Sequence, residues 1–179
     1  MTADFWTWSL STYRHRDVQE TTIKLQDDFD LNVNIILWCC WCASAYQELP
    51  EFALRKAIEE TSKWTNSITA PIRGARRASK EQVKDNRALY EALKNVELMA
   101  EEVEQKALEE IAIDHLAPSG HETPMSMARR NLSRYVSFAG AARRPGFSVE
   151  LIERLLIAIF GEQSTDENAV AGLAGNEDV

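Results

Sequence analysis

The sequence predicts an all-α fold, a single-domain bundle of about six to eight helices that includes one long, heptad-like helix. Glycine and proline number only 7 and 5 among 179 residues, so the chain has few of the tight turns that sheets require. Apolar residues recur at spacings of three and four along most of the chain, which is the periodicity of helices. We therefore expect a helical domain over residues 1–160 and a disordered acidic tail over residues 161–179.

The first two predicted helices are short. Residues 4–14 form the first, with most of their aromatic side chains near one face. Asp17 is the expected start of the second helix, with Glu20 three residues later as its capping-box partner. Few apolar residues follow Asp17, so we expect this helix to be short and half exposed.

The third predicted helix is the most apolar segment of the chain. Asp30 is its expected N-cap, and Leu31, Ile35, Trp38 and Cys42 follow at spacings of four, three and four. Other large residues widen the apolar surface nearly all round, which is typical of a buried central helix. All three cysteines lie here on neighbouring helical positions that point in different directions. They are therefore interpreted as buried reduced thiols, without a disulfide or a metal ion.

The fourth helix is predicted to begin at Pro50, and Ser62 could cap a continuation of it. Pro71 lies inside the next apolar stripe. Because proline removes a backbone N–H and disfavours helix at the preceding residue, a kink or a break is expected near Thr69 or Ala70.

Residues 81–116 are predicted to form one long helix. Its apolar positions alternate by four and three in a heptad-like seam: Leu89, Leu93, Val96, Ala100, Val103 and Ala107. At about 1.5 Å per residue the helix would be on the order of 50 Å long, which exceeds what a compact body of this size needs. We therefore expect it to pack along a partner helix, in a homodimer or against another protein.

Two further helices complete the predicted bundle. Thr123 followed by Pro124 is a strong signal for a helix start, and this helix is expected to run to about Ala142. Ser148 is the expected N-cap of the last helix.

Charge and motif content narrow the classes of function. The net charge of −8 argues against nucleic-acid binding. No basic and apolar leader is visible, and the longest apolar run, residues 35–43, falls short of the roughly 20 residues of a membrane span, so a cytoplasmic protein without membrane contact is expected. No Ser/His/Asp signature, Walker loop, dinucleotide-binding glycine pattern or metal-ligand spacing appears, so no catalytic residue, metal or cofactor is predicted.

Five segments of the first hundred residues stand in a characteristic order. They are FWTWSLSTY at 5–13, LQDDF at 25–29, DLNVNIILWCCW at 30–41, APIRGARR at 70–77 after Trp64, and NRALYEALKNVELMAEE at 86–102. This order resembles a small family of proteobacterial proteins, a domain of unknown function of roughly this length. The second helix departs from the pattern, because polar QETTIK at 19–24 replaces smaller, more apolar residues. The resemblance implies the order of helices and a bacterial, cytoplasmic setting, but no reaction.

The first polar cluster that could form a site joins Asp27, Asp28 and Asp30 to Asn34. Isoprenoid synthases hold magnesium diphosphate with two aspartate-rich motifs, and this chain has one, so the acids are interpreted as helix-end and capping residues. Asn34 lies inside an apolar helix, where its amide must find hydrogen-bond partners. A structural bond to a neighbouring helix is the favoured interpretation, and a ligand contact is the alternative.

The second cluster is Arg73, Arg76, Arg77 and Lys80, which repeat along one helical face. Four positive charges could clamp a phosphate, a carboxylate or an RNA backbone. Salt bridges to the glutamate-rich long helix are the favoured interpretation.

The third cluster is Glu97, Glu101 and Glu104 on one face of the long helix. Nucleotide pyrophosphohydrolases need matching glutamates on a facing helix, and di-iron bundles need Glu-x-x-His twice. Neither pattern occurs, so these glutamates are interpreted as a solvated charged face.

Two functions remain open from the sequence. The favoured one is a non-catalytic module for interaction or self-association. The alternative is a binding protein or an enzyme that takes an anionic small molecule between the first, third and fourth helices. Its predicted ligand-binding residues are Trp6, Trp8, Asp27, Asn34, Trp38, Arg73 and Arg76.

Overall fold

A computed structural model describes residues 3–46, 48–82, 87–118 and 122–161, and these residues form an all-α bundle. The elements in chain order are α1 (Phe5–Thr12), α2 (Arg16–Phe29), α3 (Val33–Ala45), α4 (Glu51–Trp64), a π-helical turn (Thr65–Thr69), α5 (Ala70–Gln82), α6 (Arg87–His115), α7 (Pro124–Phe138), a 3-10 turn (Ala141–Arg143) and α8 (Val149–Phe160). The described ranges contain no strand beyond one isolated bridge between Tyr46 and Pro118. The predicted fold class is confirmed. Of the predicted tail, residues 161–179, Gly161 is the C-cap residue of α8, and residues 162–179 lie outside the described residues.

α3 lies at the centre of the core and packs against α1, α2, α6 and α7. Trp38 and the three cysteines are fully buried, and no cysteine is paired. Burial raises the pKa of all three thiols, so they stay protonated at neutral pH. The prediction of buried, reduced thiols on a central helix is confirmed.

The junction between α2 and α3 differs from the prediction. Asp30 does not cap α3; it ends α2 in the left-handed conformation, with φ 60°. Asn32 is the N-cap, and its Oδ1 accepts the backbone N–H groups of Asn34 and Ile35 at 2.7 and 3.2 Å. Aspartate tolerates the left-handed region, and asparagine caps helices as well as aspartate does. Asp30 can therefore end α2 and Asn32 can cap α3, with Leu31 buried between them.

The start of α2 also differs from the prediction. The helix begins at Arg16, its N-cap residue His15 makes no side-chain capping bond, and the predicted capping box at Asp17 does not form. Glu20 instead accepts a hydrogen bond from Arg16 at 2.7 Å, one turn earlier on the same helix. With 14 residues, α2 is as long as α4 and is not the short helix that we expected.

Pro71 does not break the chain between α4 and α5. The backbone stays helical from Glu51 to Gln82, and Ser62 lies inside α4 without capping a new helix. The π-helical turn comes directly before α5, and the N–H of Ala70 bonds the carbonyl of Thr65, five residues back. Such a turn accommodates an extra residue within a helix. Where a kink or a break was expected near Thr69 or Ala70, the structure has this π-helical turn.

α6 is the long helix, with 29 residues. It begins at Arg87, later than predicted, because residues up to Gln82 belong to α5; residues 83–86 lie outside the described residues. Val96 and Val103 of the predicted seam are exposed. The helix packs against α5, α4, α3 and α1 of the same chain.

The buried face of α6 is polar in its middle. Glu97, Glu104 and Gln105 are buried, so the prediction of a solvated glutamate face is wrong for Glu97 and Glu104. The cause is that α3, the π-helical turn and α5 offer amide, hydroxyl and guanidinium groups to this face, and these groups can hydrogen-bond it.

The last two helices begin as predicted. Thr123 caps α7 by accepting the N–H of Ser126, and Ser148 caps α8 by accepting the N–H of Glu150. α7 ends at Phe138, earlier than the predicted Ala142. Within the described ranges, no helix combines the length and apolar composition that crossing a membrane requires.

Candidate functional site

A cavity of about 750 Å³ opens between α1, α2, α3, α4, the π-helical turn, α5 and α6. Its volume lies within the roughly 300–1,000 Å³ that is usual for small-molecule sites. Apolar and aromatic side chains form part of the lining, among them Trp6, Leu10, Tyr13, Ile23, Ile58 and Leu98. Charged and amide side chains form the rest, among them Asp27, Asn34, Arg73, Glu97, Glu101 and Glu104.

The cavity brings together most of the predicted ligand-binding residues. Those that line it are Trp6, Asp27, Asn34, Arg73 and Arg76. Trp38 lies in the core and Trp8 packs against the core, so neither lines the cavity. Residues two apart on a helix point about 200° apart, which separates Trp8 from Trp6. A contact between any of these residues and a ligand stays a prediction.

Arg73 and Arg76 join α5 to the glutamates of α6. Arg73 Nε donates to Glu97 Oε1 at 2.8 Å, and its Nη2 donates to Glu101 Oε1 at 3.1 Å. Arg76 donates through Nε to the other oxygen of Glu97. The predicted salt bridges to the glutamate-rich helix are confirmed for these two arginines. Arg77 reaches Asp27 of α2 at 3.7 Å instead.

The three glutamates of this face respond differently to their surroundings. Burial opposes ionisation of Glu97, but the hydrogen bonds from Arg76 and Arg73 outweigh it and lower its pKa. Burial raises the pKa of Glu101, because Arg73 offsets it only in part. Burial likewise raises the pKa of Glu104, against hydrogen bonds from neutral donors. The two arginines therefore compensate the negative charge of Glu97, whereas the charges of Glu101 and Glu104 are compensated less fully.

Neutral side chains hold Glu104. Asn32 Nδ2 donates to Glu104 Oε1 at 2.8 Å and to Thr65 Oγ1 at 3.1 Å. Thr65 Oγ1 in turn donates to Glu104 Oε1 at 3.3 Å. Asn32 thus caps α3 with its oxygen and joins the π-helical turn to α6 with its nitrogen.

A second chain of hydrogen bonds joins α1, α6 and α3. Ser9 Oγ donates to Gln105 Oε1 at 2.6 Å, and Gln105 Nε2 donates to Asn34 Oδ1 at 2.8 Å. The favoured interpretation of Asn34, a structural bond to a neighbouring helix, is confirmed. Because Asn34 also lines the cavity, the same side chain supports the site and forms part of its surface.

Sequence reasoning missed several polar cavity residues, among them Asn32, Thr65, Thr69 and Gln105. Thr69 is buried, and its hydroxyl has no hydrogen-bond partner among the described residues. Thr61 of α4 is buried too, but its hydroxyl bonds the carbonyl of Ala57 at 2.8 Å. The clustering of polar residues at 61–69 before Pro71 was the available signal, and π-helical turns are frequent at functional sites.

Among the described residues, no three His, Cys, Asp or Glu side chains are arranged to hold a metal ion. Of the cavity carboxylates, those of Glu97 and Glu101 are instead bonded by Arg73 and Arg76.

The fold and the site define an all-α bundle around an open cavity with a polar, partly neutralised wall. The chain belongs to the family described as Protein of unknown function (DUF2390), whose model matches residues 4–108. This match confirms the resemblance to a domain of unknown function, and the matched segment contains every charged residue that lines the cavity. No curated protein and no solved structure matches the chain.

Proposed function

We propose that the protein binds a small organic molecule in the cavity between α1, α2, α3, α4, the π-helical turn, α5 and α6. The observation that carries the proposal is the polar wall itself. Glu97, Glu104 and Gln105 occupy buried positions of α6 that apolar residues would fill at lower desolvation cost. A cavity of ligand size whose buried polar groups converge beside aromatic side chains has the composition of a binding site.

A fragment screen by NMR tests this proposal. Trp6 lines the cavity and Trp8, on the same helix, does not, so their indole N–H resonances are a matched pair of reporters. We expect fragments that bind in the cavity to shift the Trp6 resonance and to leave the Trp8 resonance in place.

A blocking variant sharpens the screen. Leu98 lines the cavity, and Ile113 on the same helix is exposed and does not. We expect Leu98→Trp to abolish the shifts of Trp6 and Ile113→Trp to preserve them. A library of neutral, cationic and anionic fragments that leaves Trp6 unchanged would contradict the proposal, as would equal behaviour of the two variants.

A second function rests on a different observation, an apolar stripe on the outer face of α6. Val96, Met99 and Val103 are 46, 66 and 49% exposed, and their spacing of three and four places them on one face. We propose that two copies of the chain pair through this stripe, as a homodimer through the long helix.

Sedimentation velocity over a hundredfold range of concentration tests the homodimer. We expect dimers in the unmodified protein and monomers in the double variant Val96→Glu/Val103→Glu. Ile157→Glu on α8 is the control, because Ile157 is an equally exposed apolar residue away from the stripe. A monomer at every concentration would rule out pairing through α6.

A further inference from the structure

We infer that the ligand of this cavity carries a positively charged nitrogen, an amine or a guanidine, which Glu104 and Glu101 hold. The inference rests on the proposed function and names the chemical class of its ligand. It departs from the sequence-based hypothesis of an anionic ligand.

The arginines of the cavity already have anionic partners. Arg73 bonds both Glu97 and Glu101, and Arg76 bonds Glu97. A ligand carboxylate or phosphate that took these guanidinium groups would leave the buried carboxylate of Glu97 without its counter-charge. Removing one partner of a buried ion pair is costly, so the wall disfavours anions.

Glu104 is in the opposite situation. It is 3% exposed and lines the cavity, yet no Lys, Arg or His of the described chain lies within ion-pair distance of it. Its hydrogen-bond donors, Asn32 and Thr65, are neutral. Arg73 favours the charged form of Glu104 only from beyond ion-pair distance. A buried carboxylate whose hydrogen bonds come from neutral groups gains from a cation that enters beside it, because ion pairing strengthens when water is excluded.

The hydroxyl of Thr69 is an independent observation. Thr69 is 1% exposed, lines the cavity, and has no hydrogen-bond partner among the described residues. A hydroxyl oxygen accepts N–H groups, and a protonated amine offers up to three of them. A cationic nitrogen of a ligand in the cavity can therefore supply the bond that Thr69 lacks.

The remainder of the lining indicates that the cation is organic. The cavity of about 750 Å³ is far larger than an ammonium group, and Trp6, Tyr13 and Ile23 contribute apolar surface. The faces of Trp and Tyr rings also attract cations. A bare metal ion is disfavoured, since no group of three ligating side chains is present in the described residues. The structure favours an amine or guanidine with an apolar or aromatic body.

Two probes with the same phenylethyl skeleton test the inference: 2-phenylethylamine, which is cationic at pH 7, and 3-phenylpropionate, which is anionic. We expect calorimetry to show the amine binding about tenfold or more tighter than the acid, with a shift of the Trp6 resonance. Glu104→Gln keeps the size of the side chain and its acceptor oxygen, and we expect it to weaken the amine about tenfold. Glu110→Gln, at an exposed position of the same helix, is the control and should change nothing.

The outcomes distinguish a wrong ligand class from a cavity that binds no ligand. Tighter binding of 3-phenylpropionate, or unchanged amine binding in both Glu104→Gln and Glu101→Gln, would overturn the cationic class and leave the cavity as a binding site. The same holds if neutral fragments shift Trp6 and the amine does not. If no compound shifts Trp6, the proposed function fails and the inference fails with it. Glu101→Gln serves as the second variant, because Glu101 is more accessible than Glu104 and tolerates substitution more readily.

Discussion

At the scale of single residues, the arginines of α5 differ in how much the fold depends on them. The side chains of Arg73 and Glu97 are 21 and 9% exposed, and Arg73 holds two glutamates at once. Arg77 is 59% exposed and reaches its partner Asp27 at 3.7 Å. Sequence spacing placed these arginines on one face, but it could not rank them, because burial depends on the neighbours that α6 supplies.

We predict that Arg73→Met lowers the free energy of unfolding by roughly 2–4 kcal/mol, because Glu101 loses its cationic partner and Glu97 loses one of two. Arg77→Met should cost less than about 0.5 kcal/mol, as exposed ion pairs do. Urea denaturation measures both. Equal losses would show that the Arg73 pairs are as solvent-screened as that of Arg77.

Glu104 gives a prediction on pH. Burial raises its pKa above the ordinary value of 4.5, so the folded state holds this proton more tightly than the unfolded state does. Its contribution to stability is therefore full below pH 4.5 and is lost as the pH rises through the raised pKa. Glu104→Gln removes this loss. We expect the variant to be more stable by the order of 1 kcal/mol at pH 8, a rise in Tm of about 2–4 °C.

The same difference should shrink toward pH 4.5, where Glu104 of the unmodified protein is protonated in the folded state. Thermal melts of the two proteins between pH 4.5 and 8 measure it. A destabilised variant at pH 8, or a difference that grows on acidification, would contradict a raised pKa.

At the scale of elements, the helices could be predicted from sequence far better than their ends and contacts. Apolar periodicity gave α3 as the central helix, and Thr123 and Ser148 gave the starts of α7 and α8. The start of α3 could not be chosen between Asp30 and Asn32, because both residue types cap helices. The burial of Glu97 and Glu104 on α6 was not predicted, because apolar periodicity identifies only buried apolar residues. The groups that hydrogen-bond these glutamates lie on other elements.

The N-cap of α3 leads to a prediction about Asn32. Asn32→Asp keeps the oxygen that caps the helix, but it replaces the donor to Glu104 with an acceptor beside a buried carboxylate. We expect a loss of about 1–3 kcal/mol at pH 7, which becomes smaller as the carboxylates are protonated. Ser148→Asp at the partly exposed N-cap of α8 is the matched control and should stay within about 0.5 kcal/mol. Chemical denaturation of Asn32→Asp and Ser148→Asp at two pH values measures both losses and their dependence on pH.

At the scale of the whole molecule, α6 finds partners within its own chain. The sequence indicated that a helix of this length needs a neighbouring helix, and α4 and α5 lie along it. Length therefore does not by itself require a second subunit, and the homodimer rests on the exposed stripe of Val96, Met99 and Val103. The cavity could be predicted only in part, because it forms where six helices, α1 to α6, meet, and no single segment of the sequence specifies how they meet.

The core also predicts the reactivity of the three thiols. Cys39, Cys40 and Cys42 are fully buried, and burial raises the pKa of each. Because the thiolate is the reactive form, we expect a thiol reagent to modify none of them in the native protein except through unfolding. The rate of thiol modification in the native protein should match the unfolding rate measured independently. In denaturant, where the thiols are exposed, modification should be fast. Fast modification of the native protein would place a thiol at the surface.

The packing of α7 on α3 has a consequence for anyone who divides this family into expression fragments. Asn131 of α7 accepts the backbone N–H of Leu49 and donates to the backbone carbonyl of Cys39, and Tyr135 accepts the backbone N–H of Asn32. These partners lie within the segment that the family model matches, and α7 lies beyond its end at residue 108. A recombinant piece cut at residue 108 would uncover the central helix along one side, so the smallest autonomous unit extends at least through α7.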